Sequence, residues 1–266
     1  MPIASLDSID LYYEVQGQGP RMLYISGTGA DLRVRPNVFD GPLPTQFEVL
    51  SFDQRGLGQS AKPVTQYTMA DYGRDAAQLL AYLDWPAVPV VGVSFGGMVA
   101  QELSLSHPER VSTLALACTS SGGAGGASFP LEDLTKLAPV ARAERYLAQA
   151  DLRCDASWRA EFPERWKKLM ARALAPNQPD KDESAAARQL MARAGHDTYD
   201  RLPQLTLPVF VLGGRYDGIA PISNQQALAA QIPHAQLRLY EGGHLFLVQD
   251  KTAYVDLQEW LLTGQI

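Results

Sequence analysis

The residues with the clearest chemical potential are Gly92-Val93-Ser94-Phe95-Gly96, in which two glycines flank a serine. An apolar run precedes this stretch, and a mixed apolar and polar run that ends at His107-Pro108 follows it. The pattern predicts a strand that turns directly into a helix. Such a turn strains the backbone of its central residue and presents the side chain above the sheet. We therefore predict that Ser94 is a nucleophile.

Two other interpretations of this stretch are an ordinary glycine-rich turn and a phosphate-binding loop. Its glycine spacing differs from the dinucleotide-binding fingerprint, and it lacks the Gly-Lys-Ser/Thr end of a P-loop. A serine hydroxyl is a poor nucleophile unless a base takes its proton. The choice therefore depends on whether a base and an acid follow in the chain.

The best candidate for the base is His244, one of four histidines in the chain. It follows the last predicted strand and a Gly-Gly pair, which places it at the same edge of the sheet as Ser94. His107 and His234 stand beside prolines, where a surface position is the simpler interpretation. His196 lies in a polar segment, where contact with a substrate is a minor alternative.

The best candidate for the acid is Asp217, which follows the preceding predicted strand and a Gly-Gly pair. A carboxylate in this role holds the tautomer of the histidine and stabilises the imidazolium. The order Ser94, Asp217, His244 is the nucleophile, acid, base order of one particular fold. The alternatives for the acid are Asp31, Asp53 and Asp256. The first two precede the serine, and the third falls on the closing helix.

An oxyanion needs hydrogen-bond donors aimed at it. The backbone N–H of Phe95, directly after the serine, is one candidate, and the second is expected from the loop after an earlier strand. That loop is Ser26-Gly27-Thr28-Gly29, and we predict the N–H of Thr28 as the donor. Loss of one such donor typically costs roughly 10²–10³ in rate.

These side chains need a sheet to position them. Apolar runs predict strands at residues 11–15, 22–25, 47–52, 90–93, 111–118, 208–212 and 236–240. Helical patterns over 69–84, 223–232 and 255–262, together with the helix after Ser94, alternate with them. This alternation predicts an α/β fold with a mostly parallel central sheet flanked by helices. Ligands of such sheets bind at the carboxyl ends of the strands.

The pattern changes between residues 122 and 201, where helical runs follow one another with no strand. We predict a helical cap at 122–201, inserted in a core made of 1–121 and 202–266. Gly27 and the cap aromatics Trp158 and Trp166 are predicted to line the substrate pocket. Arg33, with Arg35, is a candidate for holding a substrate carboxylate, although a solvated surface pair is the simpler interpretation.

Composition excludes several classes of protein. The net charge of −6 and the pI near 5.2 of this 266-residue chain argue against a nucleic-acid partner. Two cysteines are too few for a disulfide framework, and no Cys/His spacing indicates a structural zinc. The N-terminus lacks the features of a secretory signal, and no apolar run is long enough to cross a membrane. We expect a cytoplasmic protein without metal or cofactor.

Four motifs together resemble the α/β-hydrolase superfamily over nearly the whole chain. They are Gly92–Met98, Asp53–Ser60, Gly213–Asp217 and Gly242–His244. Within that superfamily the chain is most similar to bacterial serine esterases, 3-oxoadipate enol-lactonases and cofactor-free perhydrolases. One departure is Ser26-Gly27, where many relatives have His-Gly.

The resemblance implies hydrolysis of a small carboxylic ester or lactone through an acyl-enzyme. A serine at position 94 argues against the dehalogenases and epoxide hydrolases of this fold, in which an aspartate is expected. Two alternatives stay open. One is hydrolysis of a carbon–carbon bond in a β-diketone, and the other is a ligand-binding receptor of the same fold.

Overall fold

One sheet forms the centre of the computed structural model, which describes residues 2–175 and 180–265. In these ranges its eight strands are β1 (Ile3–Ser5), β2 (Asp10–Gln16), β3 (Arg21–Ile25), β4 (Glu48–Phe52), β5 (Val88–Val93), β6 (Val111–Ala117), β7 (Val209–Gly214) and β8 (Gln236–Tyr240). Their order across the sheet is β1-β2-β4-β3-β5-β6-β7-β8.

The sheet is mostly parallel. β1 pairs with β2 and β2 with β4 in antiparallel register, while β4, β3, β5, β6, β7 and β8 are joined by parallel pairs. The carboxyl ends of β3, β5, β7 and β8 therefore meet at one edge of the sheet. This edge is where the loops with Thr28, Ser94, Asp217 and His244 begin.

Helices cover both faces of the sheet, as predicted. The helices are α1 (Met69–Tyr82), α2 (Phe95–Ser106), α3 (Leu131–Leu134), α4 (Pro139–Ala150), α5 (Ala156–Glu161), α6 (Pro163–Leu174), α7 (Glu183–Ala194), α8 (Ile222–Gln231), α9 (Phe246–Gln249) and α10 (Lys251–Thr263). Successive side chains of a strand point to opposite faces. Accordingly, Leu23 belongs to the apolar cluster of α1, α2 and α8, while Met22 belongs to the cluster of α10.

The helices α3 to α7 lie between β6 and β7. We refer to residues 122–201 as the insert. Two helix starts follow their sequence signals, because Pro163 occupies the first turn of α6 and the Asp182 side chain accepts the N–H of Ala185 at the start of α7. Residues 176–179 of the predicted cap lie outside the described ranges. The division into a core and a separate cap stays a prediction.

The mostly parallel sheet with flanking helices is confirmed, and one strand was not predicted. β1 has three residues, which is too short for an alternating pattern to be recognised. It pairs with β2 at the edge of the sheet. Among the described residues, no helix combines the length and the hydropathy that a membrane span needs.

Candidate active site

Ser94 occupies a sharp bend between β5 and α2. Its φ of 56° and ψ of −118° lie outside the regions that side chains favour. A Cβ on Gly96 would collide with the backbone oxygen of Ile25, which explains the glycine at this position. The bend is fixed from both sides: the Ser94 N–H donates to the Ala117 carbonyl at 2.8 Å, and Thr119 Oγ1 donates to the Ser94 carbonyl at 2.7 Å.

Ser94, His244 and Asp217 form one chain of hydrogen bonds at the carboxyl edge of the sheet. His244 Nε2 lies 3.0 Å from Ser94 Oγ, and His244 Nδ1 lies 2.8 Å from Asp217 Oδ2. All three residues are buried, with 9%, 9% and 2% of Ser94, His244 and Asp217 exposed. A carboxylate only accepts hydrogen bonds, so Nδ1 carries the proton and the Nε2 lone pair faces the serine hydroxyl.

Asp217 is itself held by its own loop. Its Oδ1 accepts the N–H groups of Ile219 at 2.7 Å and Ala220 at 2.9 Å, which leaves Oδ2 for His244. The carboxylate therefore cannot rotate away from the imidazole without losing two backbone hydrogen bonds. The rival acids are engaged elsewhere, for Asp53 Oδ1 accepts the N–H of Leu32.

The two predicted oxyanion donors lie next to the serine. Phe95 is the first residue of α2, and Thr28 follows Gly27, where an added Cβ would lie 3.4 Å from Ser94 Cβ. Within 2–175 and 180–265, neither the Phe95 nor the Thr28 N–H has an acceptor. The positive end of the α2 dipole also points to this position, which favours negative charge there.

Cys118 is a neighbour of this site that its apolar context did not reveal. Its Sγ, a His244 ring nitrogen and an Asp217 oxygen lie within 4.8 Å of one another. Burial, and then the charge of Asp217, raise the pKa of the Cys118 thiol well above its ordinary value. The thiol is therefore protonated, and it contributes bulk rather than charge beside the imidazole.

The insert is bonded directly to the loops of the acid and the base. The N–H of His244 donates to the Ala150 carbonyl at 2.6 Å, and the N–H of Gly218 donates to the Gln149 carbonyl at 2.9 Å. Both acceptors belong to the last turn of α4. The end of this helix therefore fixes the height of both loops above the sheet.

A third contact joins the insert to the loop that carries Thr28. Gln189, on α7, is 1% exposed and accepts the N–H of Gly29 on its Oε1 at 2.9 Å. Because the oxygen of this amide faces Gly29, its nitrogen points the other way, and Nε2 is buried without a partner among the described residues. No sequence signal predicts this contact, since an isolated glutamine in a helical run is usually solvated.

A cavity of about 640 Å³ opens beside the site. Its lining includes Gly27 and His244, and its other side chains are mainly apolar: Val34, Val38, Val93, Leu245, Leu247 and Val248. The volume falls in the range of small-molecule sites, roughly 300–1,000 Å³.

Three of the predicted pocket residues lie away from the lining of this cavity. Arg33 pairs with the buried Asp31 at 2.7 Å. The Trp158 ring packs on Phe162 with 5.5 Å between centroids, and Trp166 lies under the Arg159 guanidinium at 4.3 Å. The structure thus brings together Ser94, Asp217, His244, Gly27, Thr28 and Phe95, and it places Arg33, Trp158 and Trp166 in other contacts.

Comparison with known proteins agrees with this fold. The family model described as "alpha/beta hydrolase fold" matches residues 20–251. A poly(3-hydroxyalkanoate) depolymerase of Ectopseudomonas oleovorans is 32% identical over 228 residues, which are 85% of this chain and 78% of that protein. The 3-oxoadipate enol-lactonase 2 of Acinetobacter baylyi is 26% identical over 254 residues, covering 92% of this chain and 90% of that protein.

A solved structure shows the same fold. The enol-lactonase from Burkholderia xenovorans superposes with a TM-score of 0.79 at 21% identity, covering 98% of this chain and all of that one. At this identity the likeness concerns the fold. The resemblance inferred from the four motifs is confirmed, and the chain belongs to the α/β-hydrolase family.

Proposed function

We propose that this protein is a serine hydrolase that cleaves small carboxylic esters or lactones through an acyl-enzyme intermediate. The observation that carries the proposal is the chain from Ser94 Oγ to His244 and on to Asp217, with contacts of 3.0 and 2.8 Å. Each contact falls within the reach that proton transfer requires. The chemistry needs no metal or cofactor, because the chain itself supplies nucleophile, base and oxyanion donors.

In the first half of the reaction, Ser94 Oγ attacks the carbonyl carbon while His244 Nε2 takes the hydroxyl proton. The carbonyl oxygen becomes an oxyanion, and the N–H groups of Phe95 and Thr28 donate to it. Asp217 stabilises the imidazolium at Nδ1. When the carbon–oxygen bond of the ester breaks, His244 returns the proton to the leaving alkoxide, which departs as an alcohol.

In the second half, water attacks the acyl-enzyme. His244 takes a proton from the water, and the tetrahedral intermediate collapses with return of that proton to Ser94 Oγ. The products are a carboxylic acid and the free enzyme. In a lactone the alcohol and the acid belong to one molecule, so a single hydroxy acid leaves.

The substrate class is supported by the cavity and by the relatives. A cavity of about 640 Å³ with a mainly apolar lining suits a small and partly apolar molecule. The named relatives act on a polyester and on an enol-lactone, both of which contain a carboxylic ester bond. A cytoplasmic location stays a prediction from the sequence.

The test is a panel of 4-nitrophenyl acetate and butyrate, five- and six-membered lactones, and a β-diketone. We expect the wild type to cleave esters or lactones, with a burst of 4-nitrophenol when deacylation is slow. Ser94→Ala should reduce kcat by at least about 10⁴-fold. Ser104→Ala is the matched control: this buried serine lies on the same helix and donates its hydroxyl to the Ala100 carbonyl. Its activity should stay within about threefold of the wild type.

Two outcomes would contradict the proposal. Ester cleavage that survives in Ser94→Ala would show that another group does the chemistry. Cleavage of the β-diketone alone would move the enzyme to carbon–carbon hydrolysis.

A further inference from the structure

A second cavity, of about 240 Å³, lies between α2, the segment that follows β6, and the insert. Its lining includes Met98, one turn of α2 beyond Ser94, and Ser120, which follows the residue bonded to the Ser94 carbonyl. The cavity therefore adjoins the two segments, α2 and the loop after β6, that hold the bend of Ser94. No step of the proposed reaction uses it.

The cavity contains a buried cation with free donors. Arg193, on α7, is 4% exposed, and its Nε and Nη2 have no hydrogen-bond partner in the described part of the chain. Glu132 Oε2 lies 3.9 Å from Nη1, too far for a hydrogen bond, and this oxygen is also unpartnered. Burial lowers the pKa of Arg193, but an arginine keeps its charge in proteins. A buried cation with unused donors is costly unless an anion completes it.

Apart from Glu132, the other polar groups of the cavity are neutral. Burial lowers the pKa of His196 to about 4, and both of its ring nitrogens lack a partner among the described residues. At neutral pH this ring offers one donor and one acceptor. Ser120 and Ser128 contribute hydroxyls whose oxygens are 3.1 Å apart. The cavity thus combines one cation, one carboxylate that does not hydrogen-bond to it, and several neutral polar groups.

The inward side of α7 connects this cavity to the oxyanion loop. Gln189 lies one turn before Arg193 and bonds the N–H of Gly29, while its free Nε2 is buried. Tyr146 lies close enough to both Asp217 and Arg193 to feel their charges. An acyl chain bonded to Ser94 Oγ would have to extend past Tyr146 to meet the guanidinium.

We infer that the second cavity binds a carboxylate carried by the acyl part of the substrate, with Arg193 as its partner. This rests on the proposed function and narrows it to half-esters of dicarboxylic acids and to lactones that carry a carboxylate. The larger cavity, beside Gly27 and His244, then takes the alcohol part. Arg193 determines specificity, because it contacts the far end of the acyl chain and not the reacting atoms.

The experiment compares mono-4-nitrophenyl adipate and suberate with 4-nitrophenyl hexanoate and octanoate, so that each anionic ester has a neutral partner of equal chain length. The ratio of kcat/KM, anionic over neutral, is the readout after subtraction of the uncatalysed rates. Arg193→Gln should lower this ratio by at least about tenfold for one pair, the effect of losing a charge-assisted hydrogen bond. Its rate on the neutral ester should stay within about threefold of the wild type, which shows that the site is intact.

Two further variants keep the inference falsifiable if Arg193→Gln does not fold. Glu132→Gln removes the carboxylate that competes for Arg193, so the ratio should rise. Arg172→Gln replaces an exposed arginine of α6 and should leave the ratio unchanged. An unchanged ratio at both lengths in Arg193→Gln and Glu132→Gln means that the cavity holds water only, and overturns the inference. A wild type that cleaves neither these esters nor the lactones of the first panel would instead refute the proposed function.

Discussion

Replacing Asp217 by asparagine tests its assignment as the acid of the triad with the smallest change of shape. In the wild type, Oδ1 accepts two backbone N–H groups and Oδ2 accepts the Nδ1 proton of His244. Asparagine has one oxygen and one NH2 group. The two backbone donors of Ile219 and Ala220 retain the oxygen, so the NH2 group must face Nδ1.

An NH2 donor at Nδ1 forces the proton of the ring onto Nε2, because two donors cannot face each other. His244 then presents an N–H to Ser94 Oγ and has no lone pair to accept the hydroxyl proton. We expect kcat/KM on 4-nitrophenyl butyrate to fall by about 10⁴-fold in Asp217→Asn, the loss typical of a triad held in the wrong tautomer.

The stability of the variants separates this cause from a damaged loop. Asp217→Asn keeps the acceptor of the Ile219 and Ala220 N–H groups, so its free energy of unfolding should stay within about 1 kcal/mol of the wild type. Asp217→Ala leaves both buried donors without an acceptor and should cost about 1–3 kcal/mol for each of them. Activity in Asp217→Asn within about tenfold of the wild type, with normal stability, would refute the assignment of Asp217 as the acid.

Two further predictions concern buried ionisable groups. Asp75→Asn should lower the free energy of unfolding by about 3–5 kcal/mol. The Arg55 guanidinium is bonded to both Asp75 oxygens, at 2.6 and 2.7 Å, and would be buried without a counter-charge and with an NH2 group in place of one acceptor. Glu48→Gln is the control, because it breaks the exposed ion pair with Arg21. It should change the free energy of unfolding by less than about 1 kcal/mol, with both variants measured by urea titration. The second prediction concerns pH: His196 is neutral in the fold because burial lowers its pKa from 6.5 to about 4, whereas the unfolded chain binds a proton below 6.5. The wild type should therefore lose about 2–3 kcal/mol more than His196→Gln between about pH 7.5 and pH 4.5, and parallel stability curves would show that His196 does not titrate in this way.

Much of the sheet and the order of the candidate triad could be predicted from local signals. A strand buried on both faces is a continuous apolar run, and β3, β5 and β7 were recognised for this reason. The glycines before Asp217 and His244 marked the strand ends. Parallel pairing then places those ends together, so the meeting of Ser94, Asp217 and His244 follows from topology. Their catalytic roles stay predictions until the variants are measured.

The inward side of the insert could not be predicted in the same way. Charges of both signs in a helical run indicate a solvated surface, and for Arg172 this is correct. Arg193 has the same sequence context and is buried, because α7 packs over the second cavity. Trp158 and Trp166 were expected over the site for their aromatic character, yet they pack against Phe162 and Arg159 instead. Which side of a helix is buried depends on tertiary packing, and the composition of the helix alone does not predict it.

The carbonyls of Gln149 and Ala150 have a consequence for evolution and for protein engineering. A backbone acceptor does not depend on the identity of its side chain, so substitutions along α4 can accumulate while the Gly218 and His244 N–H groups keep their anchors. Grafting a whole segment from a relative is a different operation, since it replaces the path of the main chain. A chimera that aims at new selectivity should therefore retain the main-chain course at 149–152. It should exchange residues on α7, which carries Gln189 and Arg193.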